Sequence, residues 1–170
     1  MIKKLLLIFG MLVLLPAVLL AQGEATFRID DPGEDVPAGS ILAVEVTAEI
    51  APGWHLYAMD IPPGGPIPTS FEVVADEVFS PAGSPEQSEP ISWFDENFDM
   101  DTNYFEGSAV FRIPVRVAES TAPGEYPLLL RVEFMLCNDS TCLPPQKRDL
   151  EITVRVIEGS GAGETVEQES

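Results

Sequence analysis

Val44-Glu45-Val46-Thr47-Ala48-Glu49-Ile50 alternates apolar and polar residues without a break. Successive side chains of an extended strand point to opposite faces, so this run puts its even positions on a core and its odd ones in water. Outward from it, the same period governs three further runs. Ala109, Phe111, Ile113, Val115 and Val117 alternate with Arg112, Pro114 and Arg116. Leu128, Leu130, Val132, Phe134 and Leu136 alternate with Arg131 and Glu133, and Leu150, Ile152, Val154 and Val156 with Glu151, Thr153 and Arg155. Pro114 has no N–H to give a ladder, which predicts an edge position or a bulge there.

Shorter strands are expected at 25–29, 55–59, 71–74 and 91–94, each bounded by Pro, Gly or Asp. The total is about eight strands, the number of a β-sandwich. Apolar residues at helical spacing are missing from every long stretch, and 16 Pro and 13 Gly suit turns rather than helices. The fold class read from the residues is therefore all-β, a sandwich. The Pro-rich segments 62–68 and 81–90 read as surface loops.

The chain starts Met-Ile-Lys-Lys, runs apolar from Leu5 to Leu20 with Gly10 and Pro16 inside, and continues Ala21-Gln22. That order is a secretory signal, expected at 1–21 and cleaved after Ala21, since the run is too short and broken for a membrane span. Export places the mature protein in the periplasm or outside the cell, with no membrane insertion after cleavage. One domain is expected at 22–157, and the Gly-, Ser- and Glu-rich segment 158–170 reads as a disordered acidic tail. The formal charge is −19, and it is two units more negative once Lys3 and Lys4 leave with the signal. So acidic a chain repels nucleic acid and favours basic partner surfaces.

The chemistry is concentrated in Cys137-Asn138-Asp139-Ser140-Thr141-Cys142-Leu143-Pro144-Pro145. Export permits a disulfide. Cys137 is out of phase with the core positions Leu128 to Leu136, so it is expected near solvent, with four turn-forming residues bringing Cys142 back beside it. Three readings of the pair stay open. As a staple it closes a loop so small that the chain-entropy gain is only about 2 kcal/mol. As a redox pair it has the short spacing and strand-end position that thiol exchange uses. As a metal site it lacks ligands, because His55 is the single imidazole and Asp139 a weak fourth candidate; no metal and no cofactor are expected. Asp139 between the sulfurs disfavours a thiolate, so the pair is better suited to carrying electrons than to attacking.

Pro52-Gly53-Trp54-His55-Leu56-Tyr57, Pro68-Thr69-Ser70, Tyr104-Phe105-Glu106-Gly107 and the cysteine segment with its Pro144-Pro145 together resemble the N-terminal periplasmic domain of the DsbD thiol:disulfide interchange family. The resemblance spans roughly 25–157. It implies an immunoglobulin-like β-sandwich in which Cys137 and Cys142 are the catalytic pair. That pair receives electrons from a membrane electron-carrier protein and passes them to periplasmic thioredoxin-like proteins, such as disulfide isomerases and factors of cytochrome c biogenesis. If the module is an enzyme, it is a protein-disulfide reductase acting as a relay. The resemblance also implies a cap over the disulfide at 103–107, with Phe105 the first candidate and Tyr104 the second. His55 and Tyr57 line the site wall, Asp139 lies in the cysteine turn, and Trp54 is expected in the core. Family members usually join this domain to a membrane conduit and a thioredoxin-like domain, neither of which is in these 170 residues. The competing reading is a non-enzymatic envelope binding module with a structural disulfide.

Overall fold

The computed structural model describes residues 24–159. The expected signal, 1–21, and the tail beyond Gly159 lie outside the described residues. Every regular element among those described is a strand, thirteen in all. Each of the four alternating runs becomes a strand of ten or more residues: β3 (Ile41–Ile50), β10 (Ser108–Val117), β11 (Gly124–Phe134) and β13 (Gln146–Ile157). The remaining strands are β1 (Ala25–Ile29), β2 (Val36–Pro37), β4 (His55–Tyr57), β5 (Ser70–Val73), β6 (Phe79–Pro81), β7 (Glu86–Gln87), β8 (Ile91–Asp95), β9 (Met100–Phe105) and β12 (Leu136–Cys137). The count exceeds the eight expected by five: β2, β6, β7 and β12, at two or three residues each, are too short to carry a period, and β9 (MDTNYF) does not alternate apolar with polar residues.

Two sheets form the sandwich. One runs β1-β3-β10-β6, with β7 also on β10, and the other runs β2-β13-β11-β5. Their facing residues are those the alternation selects: Val44, Val46 and Ala48 of β3, Phe111 to Val117 at odd positions of β10, and Leu128, Leu130, Val132 and Phe134 of β11 are all buried. Aromatic rings tie the layers, with Phe27 against Phe134 at 4.6 Å and Phe71 against Phe111 at 4.9 Å between centroids. Trp54 is partly buried and packs on this core.

Pro114 is not on an edge. β10 pairs with β3 along its length and with β6 and β7 on its other side. β6 covers residues 115–117 and β7 covers 111–112, leaving Pro114 opposite the gap between them. Its carbonyl accepts from the N–H of Ala82 on that side at 3.0 Å. A strand residue's N–H and C=O point the same way, so the absent N–H falls where no strand waits for it.

A third sheet, β12-β4-β9-β8, is added to the sandwich. Its register decides the site. Leu136 lies opposite Leu56, and Leu56 opposite Phe105. These three are buried, and Phe105 meets Phe111 edge-on at 5.7 Å, which docks the third sheet onto the sandwich core. The alternate residues, Cys137 opposite His55 and Tyr57 opposite Tyr104, therefore share the other face.

Candidate functional site

Cys137 and Cys142 form a disulfide with their Cα atoms 4.0 Å apart. The four residues between them make a tight turn in which the N–H of Asn138 donates to the carbonyl of Thr141 at 2.9 Å. Asn138 also accepts from the N–H groups of Ser140 and Thr141 through its side-chain oxygen, both at 2.9 Å. An Asx turn of this kind spares the backbone a conformational search and presets the sulfurs for closure. The exit is held by the N–H of Leu143 donating to the carbonyl of Leu136 at 2.8 Å.

Cys137 is fully buried, contrary to the expectation of a solvent-facing sulfur. The even-odd pattern of β11 does not carry through to it. The chain leaves the sandwich at Phe134, Met135 interrupts the ladder, and Leu136–Cys137 joins the third sheet. There Cys137 has His55 on one side and the returning Cys142 on the other, so backbone covers both flanks. Cys142 is half-buried and is the more accessible of the two.

The structure gathers His55, Tyr57, Tyr104 and Asp139 about the pair. His55 packs against Tyr104 at 4.8 Å and edge-on against Tyr57 at 5.2 Å between centroids. Tyr57, fully buried, donates its hydroxyl proton to Asp95 Oδ2 at 2.6 Å, and the other oxygen of Asp95 accepts from the N–H of Asn97 at 2.9 Å. With that proton engaged, the 3.4 Å contact between His55 Nε2 and the Tyr57 oxygen is made with the histidine as donor. Asp139 is exposed on the turn.

Phe105 is elsewhere. It is 3% exposed and belongs to the core, so the first cap candidate faces away from the disulfide, and Tyr104 is the aromatic of that segment on the sulfur side. Asp95 and Thr102, both buried on the disulfide's face, were invisible to pattern reading. No local spacing links Asp95 to a tyrosine that lies 38 residues earlier.

Burial lowers the His55 pKa below its ordinary 6.5, against an opposing pull from Asp95, Glu106 and Asp139. Burial likewise raises Tyr57, helped by its hydrogen bond to Asp95, and raises Tyr104, helped by Glu106, Asp139 and Asp95. For His55 the folded chain releases its proton more readily than the unfolded chain. Between the folded value and 6.5 the unfolded state binds more protons, so stability rises with pH through that window and is complete above it. Urea unfolding of the wild type should therefore lose more stability between about pH 7.5 and about pH 5.5 than that of His55→Gln. Equal losses in the two proteins would show that His55 is not held neutral.

Fold and site together define an immunoglobulin-like sandwich carrying a hairpin disulfide in a small added sheet. The family model described as thiol:disulfide interchange protein DsbD, N-terminal, matches residues 18–153, and the chain belongs to that family. Among solved structures, the DsbD N-terminal domain of Neisseria meningitidis in its reduced form aligns with a TM-score of 0.53 at 18% identity, covering 81% of this chain and 91% of that one. The N-terminal periplasmic domain of ScsB from Proteus mirabilis aligns at 0.49 and 16% identity, covering 81% of this chain and 47% of that one. No curated protein sequence matches the chain.

Proposed function

We propose that this domain is a periplasmic thiol:disulfide exchange module that passes reducing equivalents between a membrane electron carrier and thioredoxin-like proteins of the envelope. The observation that carries the reading is the pairing of a half-buried Cys142 with a buried Cys137 in a preset hairpin, in a chain of the DsbD N-terminal family.

In the direction of reduction, a thiolate of the incoming dithiol attacks Cys142. The Cys137–Cys142 bond breaks, and the electron pair goes to Cys137, which takes up a proton. The second thiol of the partner then attacks the mixed disulfide, leaving with its own bond made and Cys142 reduced. Two electrons and two protons have moved from one dithiol to the other. The reverse sequence delivers them to an oxidised envelope protein. Tyr104 packs on His55, which lies opposite Cys137, and we assign these two rings the role of restricting approach to the pair until a partner docks.

The full burial of Cys137 favours one rival, an inert staple. Equilibration in glutathione buffers separates the two. An exchanger is expected to have a potential above about −300 mV, and a value well below that identifies a structural bridge.

A further inference from the structure

Beside the disulfide, on the same face of the third sheet, lies a cleft of about 410 Å³ between the cysteine turn and edge strand β8. We propose, building on the exchange reading above, that this cleft is a docking site for an arginine side chain carried by the partner protein next to its reactive cysteine.

Four observations converge on that ligand. The first is a buried hydroxyl: Thr102, 2% exposed, lines the cleft on the face of Tyr104, and its Oγ1 has no hydrogen-bond partner. An unpaired buried acceptor is costly, and a donor brought by a ligand removes the cost. The second is an aromatic lining, with Trp93 64% exposed on β8 opposite Thr102, and Tyr104 two residues along β9 on the same face. Trp93 is one of three large apolar residues exposed on β8, with Ile91 and Phe94, and clustered exposed apolar surface marks an interaction site.

The third is charge. Glu96, Glu106 and Asp139 line the cleft, and among the described residues their carboxylates have neither an ion-pair nor a hydrogen-bond partner. The ion pairs that do form, such as Arg112 with Glu45 and Arg131 with Asp149, sit on the two sandwich sheets. The fourth is the sequence itself, which has no Lys or Arg between Arg28 and Arg112, so β4, β8 and β9 supply no cation of their own. Burial also keeps His55 from serving as one.

A guanidinium satisfies all of these at once. It is planar and weakly hydrated, it stacks on indole and phenol rings, and its several N–H donors reach a carboxylate and a hydroxyl together. An ammonium meets the charge but not the stacking. A neutral amide meets neither.

The test compares two blocked dipeptide thiols, one with arginine and one with glutamine before its cysteine, as reductants of the oxidised protein. Two peptide thiols become one peptide disulfide, the Cys137–Cys142 bond opens, and both protein sulfurs end as thiols. The arginine-to-glutamine rate ratio is divided by the same ratio on hydroxyethyl disulfide, which removes the effect of arginine on the peptide thiol itself. The corrected ratio is expected to be about tenfold at low salt. In the exposed double variant Glu96→Gln/Glu106→Gln it should fall close to one. A wild-type ratio near one, or a ratio that survives the double substitution, overturns the arginine site alone. Failure of both peptides and of dithiothreitol to reduce the pair overturns the exchange reading, and the arginine site with it.

Discussion

Cys137→Ser is expected to leave a Cys142 thiol that labels readily with a maleimide in the folded protein, whereas Cys142→Ser leaves a Cys137 thiol that hardly labels at all. The difference follows from burial. Cys137 is enclosed between His55 and the returning turn, and Cys142 sits half-buried at the hairpin's outer arm. A reagent reaches an enclosed sulfur only when the turn opens, and an opening that costs about 3 kcal/mol slows labelling on the order of 100-fold. The same asymmetry sets the order of exchange. Cys137→Ser should form a stable mixed disulfide with a partner thiol, because the sulfur that would resolve it is gone, and Cys142→Ser should form none. Equal labelling of the two variants would mean that either sulfur is open to attack and would remove the assigned order.

Phe105→Ala and Tyr104→Ala are expected to part company, although the residues are adjacent. Phe105 packs with Leu56, Leu136 and the ring of Phe111 where the third sheet meets the sandwich. Truncating a buried phenylalanine leaves a cavity that its neighbours only partly fill, at a cost of about 3–5 kcal/mol. Tyr104 is partly exposed and stacks on His55 beside the disulfide. Its loss should cost about 1 kcal/mol, mainly the ring contact, and should speed reduction of the pair by small thiols. Denaturant unfolding and dithiothreitol reduction rates measure the two effects separately. If Phe105→Ala is the variant that keeps its stability and gains reactivity, then Phe105, not Tyr104, covers the sulfurs.

The long strands were legible because each alternates apolar and polar residues over seven to nine positions, as β10 does with its buried odd positions from Ala109 to Val117. Such runs have no competing period. The two-residue strands β2, β7 and β12 owe their existence to what they pair with, and nothing local announces a partner. Leu136 shows how a correct pattern misleads. It continues the even positions of β11 and is indeed buried, but in another sheet, after a break at Met135. Extending the same phase one residue further put Cys137 in solvent. At Tyr104-Phe105 the difficulty was parity: both faces of β9 hold an aromatic residue, so composition does not say which one turns outward. The cysteine turn was readable from its Asn, Asp, Ser and Thr alone, because Asx hydrogen bonds are local.

The paired register of β12, β4 and β9 makes spacing matter more than identity in this sheet. Deleting one residue within β4 or β9 would exchange the two faces of that strand, turning Leu56 or Phe105 away from the sandwich core and His55 or Tyr104 toward it. Substitution of the outward residues leaves that arrangement alone. The side chains around the sulfurs can therefore vary within this sheet, whereas its backbone length cannot.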